Sequence, residues 1–196
     1  HLWSTGAPPQ RMKKSALDYD FGGTIDVGSY SSVAVVTERD TQRKFAAKIV
    51  SKKQLWANGV DPHTALRERD LLTLCREKKV PGVVGLHHTF QDEWSLYYIL
   101  DYCENGNIKE YWRNNTGISL ALKLKWLKQI VDTVASLHAL CIFHGDLKPE
   151  NCVLNDKLDV VLCDFNSAIQ LDSCNATTAF SRGSCSFLSP EAIKTN

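Results

Sequence analysis

The chain has 196 residues, room for one large domain or two small ones, with the 43% apolar and 23% charged residues usual for a globular protein. Lys plus Arg (23) nearly balance Asp plus Glu (22), so the net charge of +1 gives no pull towards nucleic acid or an acidic membrane. No apolar run is long enough to span a bilayer, so no membrane contact is expected within this segment, and no secretory signal opens the chain. Residues 1–17 contain Pro8-Pro9 and no periodicity, which predicts an irregular lead-in. "YDFGGTIDV", "SVAVVTERD" and "KFAAKIVS" then read as three strands, with Arg39-Asp40-Thr41-Gln42 turning between the last two. Asp61-Pro62 predicts a helix start, Asp as cap and Pro as first helical residue. Behind it Glu68, Leu71, Leu72 and Cys75 recur at i, i+3, i+4 and i+7, so an acid sits on the inward face. "VVGLHHTFQD" and "SLYYILDY" supply two more strands, and "CENGN" lies in a linker. Ser119 caps a long helix running to about Ala139, in which Leu127, Ile130, Val131 and Val134 repeat with helical period. "CVLN" and "DVVLC" are short strands. Seven Cys, an odd number without CxxC spacing, read as reduced thiols of an intracellular, cytoplasmic protein.

The chemistry concentrates in "HGDLKPENCVLNDKLDVVLCDFN", His144 to Asn166. An Asp before a strand hairpin, an Asn five residues on and an Asp after the second strand can converge at one mouth. Asn151 and Asp164 offer the hard oxygen ligands that Mg2+ prefers. Asp146 can orient a hydroxyl or take its proton, and Lys148 can balance charge on a transferring phosphoryl group. Phosphoryl transfer also needs a cation on the nucleotide phosphates. Lys48, at the end of "KFAAK", provides one, and the inward-facing Glu68 is its natural anchor. Taken singly, each residue has a plainer reading: a strand lysine at the surface, a solvated helix acid, turn-capping Asp residues.

Together these residues resemble the eukaryotic protein kinase superfamily, serine/threonine type. "HGDLKPEN" resembles its catalytic loop, "DFN" its metal-binding DFG, "SPE" (Ser189 to Glu191) its APE, "AAK" its strand lysine and "IDVGSYSSV" its glycine-rich loop, all in order from residue 25 to 191. Within the superfamily, "FGGTIDVGSYSSV", "ALRERDLL", "TFQD", "LYY" and "SPEAI" read like the phosphoinositide-dependent protein kinases of the AGC group. The resemblance implies an α+β two-lobe fold: lead-in 1–17, a five-stranded antiparallel N-lobe with one main helix over 18–100, a hinge at 101–107, and a partial helical C-lobe over 108–196. It implies ATP and Mg2+ as cofactors, with Asp146, Lys148, Lys48 and Glu68 catalytic and Asn151 and Asp164 on the metal. Val27 and Gly28 would lie over the phosphates, although a plain hairpin turn also uses glycine. Val33, Ala46 and Val153 would sandwich the adenine, behind Leu100 as gatekeeper. Asp101 and Cys103 would offer backbone hydrogen bonds, and Asn107 stands where the relatives carry an acid on the ribose.

The implied activity is ATP-dependent transfer to Ser/Thr hydroxyls of proteins in signalling. The alternative is a pseudokinase-like nucleotide-binding scaffold. The chain stops soon after SPE, which reads as a fragment whose 119–140 helix lacks part of its cover. Four departures bear on activity. Gly145 replaces the Arg that normally holds an activation-segment phosphate, so phosphate control at Thr177, Thr178 or Ser181 is expected to be weak, while Ser184 aligns with the substrate-facing Thr. Asn166 replaces the Gly of DFG and is expected to take a left-handed backbone at a cost of about 1 kcal/mol. Asp26 and Ser31 replace loop glycines, and Asp26 repels triphosphate unless it points to solvent. The resemblance also implies docking of a phosphorylated hydrophobic tail. Lys13, Arg69, Thr89 and Gln91 would take the phosphate, Trp56 and Leu96 would wall the pocket, and Lys52 would edge it. Lys13 and Arg69 read equally well as separate solvated charges. His87, His88 and His138 receive no role.

Overall fold

The computed structural model describes residues 14–173 and 184–187, without the side chain of Cys185. The alternating first stretch folds as β1 (Tyr19–Val27), β2 (Ser31–Glu38) and β3 (Lys44–Ser51). A short helix not anticipated from sequence, α1 (Lys52–Ala57), follows, with the Ser51 hydroxyl accepting the Gln54 N–H. Next comes α2 (His63–Glu77), one residue later than expected. Pro62 is the cap, and the Asp61 carboxylate accepts the His63 N–H at 2.9 Å from just outside the helix. β4 (Leu86–Gln91) and β5 (Ser95–Asp101) complete the expected five-stranded antiparallel sheet, in the order β1-β2-β3-β5-β4.

Strand register decides which side chains face inward, because directly opposed antiparallel residues share a face. Val33 pairs with Lys48 and Lys48 with Tyr98, while Ala46 pairs with Leu100 and Leu100 with Leu86. This face takes α2, through Ala65, Leu71, Leu72 and Cys75, into one core with Leu154, Leu162 and Phe165 of the other half. The Tyr98 hydroxyl donates to the Ala65 carbonyl at 2.9 Å and pins the helix to the sheet. The opposite face buries a smaller cluster of Tyr19, Val36, Phe45, Ala47 and Ile99.

The chain leaves β5 through an irregular stretch to α3 (Ile108–Asn114), α4 (Leu120–His138) and β6 (Ile142–Phe143). β7 (Cys152–Leu154) and β8 (Val160–Leu162) pair as a hairpin, and β9 (Ile169–Gln170) pairs with β6. Ser119 caps α4 as expected, accepting the Leu122 N–H at 3.2 Å, a contact of the kind that contributes about 1 kcal/mol. The inward face of α4 differs from the expected one. Trp126, Thr133 and Leu137 are buried, with Ile130 and Val134 partly so, while Leu127 and Val131 are exposed in a stripe with Leu120 and Leu124. The Trp126 indole donates to the Leu158 carbonyl, and the Gln129 amide oxygen accepts the Val160 N–H, which turn that face to the hairpin. Cys75, Cys103, Cys152 and Cys163 are free thiols, but Cys141 is disulfide-bonded, which corrects the expectation of seven reduced cysteines. No described helix is long and apolar enough to cross a membrane.

Candidate active site

Lys48 reaches from the inner face of β3 to both halves of the molecule. Its Nζ lies 2.7 and 2.9 Å from the two oxygens of Glu68 on α2 and 2.9 Å from Asp164 Oδ1. Lys48 and Glu68 are 5% and 1% exposed, so charge pairing is the condition for keeping both in the core. Burial works against the Lys48 ammonium, but the carboxylates of Glu68 and Asp164 outweigh it and hold its pKa above the ordinary lysine value. Burial pushes Glu68 up, and Lys48 offsets only part of that. Asp164 is held below the usual carboxylate range: burial raises it, and the Lys48 charge more than compensates.

Asp164 carries the backbone strain of this region, at φ 61° and ψ 72°. Asn166, expected to be left-handed, lies instead in a 3-10 turn over Phe165–Ser167. The left-handed position is thus Asp164 itself, immediately before buried Phe165, which packs on the His144 ring at 4.8 Å between centroids.

Asp146 and Lys148 face each other at 2.7 Å. Lys148 Nζ also donates to the Ser184 hydroxyl at 2.9 Å, and the Ser184 N–H donates to Asp146 Oδ1 at 2.8 Å. A serine hydroxyl is therefore held within the Asp146–Lys148 pair. Asp146 titrates low: partial burial raises it, and the hydrogen bonds from Lys148 and Ser184 lower it further than that. Buried Asn151 donates through Nδ2 to the Asp146 carbonyl (2.8 Å) and Oδ2 (3.1 Å), which turns its amide oxygen away from Asp146. His144, given no role from sequence, links the two acids. Its Nδ1 accepts the Asp146 N–H at 3.3 Å, and its Nε2 lies 3.0 Å from the carbonyl of Cys163, next to Asp164. Burial lowers its pKa, which favours the neutral ring that these two contacts require. The signal for it was its place two residues before Asp146.

The donor set suits Mg2+ bound partly through phosphate. Asn151 Oδ1 and the Asp164 oxygen not engaged by Lys48 are hard ligands, and Mg2+ keeps water and phosphate oxygens around one or two protein groups. Among the described residues no group of three or more His, Cys, Asp or Glu could form a closed metal cage.

The remaining expected contacts divide. Val33, Ala46, Lys48 and Leu100 share the inner face, and Val153 forms a bridge with Asn107. Asn107 caps α3, its Oδ1 accepting the Glu110 N–H at 2.9 Å, so that oxygen is committed. Cys103 is half-buried at the stretch leaving β5, and burial pushes its thiol up to about 12. Gly28 bonds through its N–H to the Ser31 carbonyl at 2.7 Å, and a Cβ there would meet only ordinary contacts at 3.4 Å. Val27 pairs with Ser32, which pairs with Ile49 on the outer side, and Asp26 is the residue opposed to Val33. The Asp26 carboxylate accepts the Val27 N–H at 2.9 Å.

Of the docking residues, Thr89, Gln91 and Leu96 share the inner face, through the pairs Thr89–Tyr98 and Gln91–Leu96. Lys52 bonds the Asp92 carbonyl, and Trp56 is 74% exposed on α1. Arg69 lies one turn beyond Ala65 and pairs with Asp70 at 2.7 Å. Lys13, Thr177, Thr178, Ser181 and the SPE triplet lie outside the described residues.

A five-stranded sheet with its helix-anchored lysine, set over a loop of Asp, Lys and Asn, defines a protein kinase domain. Residues 19–196 match the protein kinase domain family, and the chain belongs to it. Among curated proteins it is similar to the 3-phosphoinositide-dependent protein kinase 1 of Rattus norvegicus and of Homo sapiens. Each is 34% identical over 188 residues, covering 95% of this chain and 33% of the relative. The serine/threonine-protein kinase PKH2 of Saccharomyces cerevisiae is 33% identical over 172 residues, 88% of this chain and 16% of the relative. The chain thus spans about a third or less of the length of these relatives.

Proposed function

We propose that the full protein transfers the γ-phosphoryl group of ATP to Ser and Thr hydroxyls of protein substrates. The observation that carries this reading is the Ser184 hydroxyl held by Lys148 beside Asp146, since it is the acceptor chemistry of a serine/threonine kinase already seated in the loop. Asp146, kept ionised, orients the acceptor hydroxyl and takes its proton as transfer proceeds. Lys148 balances charge on the moving phosphoryl group. Lys48, fixed by Glu68, holds the nucleotide phosphates, and Val33, Ala46 and Val153 enclose the base. Asn151 and Asp164 would hold Mg2+, which when bound neutralises charge on the phosphates. Domain boundaries at 18–100, 101–107 and 108–196 follow this reading.

The inner-face placement of Thr89, Gln91 and Leu96 supports a second element, selection of substrates through a phosphorylated hydrophobic tail. Arg69 would exchange Asp70 for the phosphate. A nucleotide-binding scaffold is the competing reading, favoured by Asp26, whose carboxylate takes a loop N–H that phosphate would otherwise use. Incubating the full-length protein with γ-labelled ATP, Mg2+ and a Ser-containing peptide separates the two. Label on the peptide is expected, and nucleotide binding without label would establish the scaffold.

A further inference from the structure

The proposed nucleotide contacts at Asp101 use its backbone, yet its side chain is engaged on both oxygens. Oδ1 lies 2.6 Å from His87 Nε2, and Oδ2 accepts the Gly85 N–H at 2.8 Å. The Asp101 N–H in turn donates to the Gly85 carbonyl at 3.0 Å, so residue 85 is gripped from both sides. The His87 ring packs edge-on against Phe45, the residue paired with Asp101 across β3, at 4.8 Å between centroids. Burial raises the Asp101 pKa, and these partners more than reverse it, so the carboxylate is charged.

Gly85 explains itself through this contact. Its backbone is not left-handed, so torsion does not demand glycine. A Cβ at 85 would stand 2.5 Å from Asp101 Oδ2, and the three nearest atoms to it would all belong to the Asp101 carboxyl group. The same short segment grips the other half of the molecule. Leu162 N–H donates to the Gly82 carbonyl at 2.7 Å, and Val84 N–H donates to the Leu162 carbonyl at 2.9 Å. Leu162 is two residues before Asp164. Residues 82–85 therefore hold the end of β5 on one side and the strand leading to Asp164 on the other.

We infer that Asp101 is a positioning residue for the base of the nucleotide: its carboxylate, clasped by Gly85 and His87, fixes the backbone of residues 101–103 relative to the strand that leads to Asp164. This rests on the ATP reading above. A loss confined to the base differs from one at the phosphates, because it falls equally on adenosine and on ATP.

Calorimetry on the full-length protein with adenosine and with ATP is the test, across wild type, Asp101→Ala, Gly85→Ala and the double variant. Asp101→Ala is expected to weaken both ligands by one common factor, about 5- to 10-fold, the scale of a charged hydrogen bond. The loss falls mainly in KM for ATP rather than in kcat. Gly85→Ala weakens adenosine in the wild-type background but adds less than about twofold once Asp101 is alanine, because the obstructing carboxylate has gone. Asp101→Asn replaces Asp101→Ala if the latter does not fold. Adenosine affinity unchanged in Asp101→Ala, or fully additive losses in the double variant, would overturn the inference. Wild-type protein that binds neither ligand would overturn the nucleotide reading itself, while thermal unfolding of the same four proteins still shows whether the effects at 85 and 101 are coupled.

Discussion

The Lys48–Glu68 pair predicts an unusual pattern of stabilities. With 5% and 1% exposure, both charges sit in the core and depend on each other. Removing one member of a buried pair costs about 3–5 kcal/mol, because the other stays buried and uncompensated. In Glu68→Leu, Lys48 keeps Asp164 at 2.9 Å, so the low end applies, about 3 kcal/mol. In Lys48→Met, Glu68 has no cation, and burial already raises its pKa. A raised acid is stabilised when protonated, so the deficit of Lys48→Met shrinks as pH falls towards the ordinary Glu value of 4.5 and grows above it. Combining the two in Lys48→Met/Glu68→Leu replaces the pair with packed apolar chains but leaves Asp164 without its cation, so it is expected to cost clearly less than the sum of the singles. Urea unfolding of the full-length proteins measures all three. A double variant that costs the sum of the singles would refute the reasoning, since the charges would then act independently of each other.

Three further outcomes are expected. Asn166→Gly brings no relief, because Asn166 is not left-handed, and it costs about 0.5–1 kcal/mol in chain entropy; stabilisation on urea unfolding would contradict this. His144 has a folded pKa below its ordinary 6.5, so the unfolded chain binds the proton first and stability declines as pH drops below about 6.5; a His144→Gln variant should flatten the pH dependence of the urea midpoint there. Arg69→Ala should cost a phosphorylated tail peptide about 1.5–3 kcal/mol of binding by calorimetry, and equal wild-type affinities with and without the phosphate would remove the pocket.

What was legible in the sequence was chemistry at fixed spacing. Glu68 stood out because it shared an apolar helix face with Leu71, Leu72 and Cys75, and the structure buries all four. Asp146, Asn151 and Asp164 were readable because a short hairpin returns its end to its beginning. The face of α4 was not, because two apolar stripes lie side by side and hydrogen bonds from Trp126 and Gln129 choose between them. α1 and α3 are six and seven residues long, too short for a periodic signal, and are held by caps and packing. The His87–Asp101 contact was hidden by the irregular register between Leu86 and His88, which a strict two-residue alternation does not capture. The face that Val27 presents was hidden for a related reason, since β1 has register shifts on either side of Thr24.

The central claim is that Asp146 serves the acceptor hydroxyl and Lys48 serves the nucleotide. The most direct measurement is Asp146→Asn in the full-length protein, with ATP affinity by calorimetry beside phosphate transfer to a Ser peptide. Transfer is expected to be lost, by more than about a thousandfold, while ATP affinity stays within about twofold of wild type. Transfer at the wild-type rate in Asp146→Asn would contradict the assignment of the base and, with it, the mechanism.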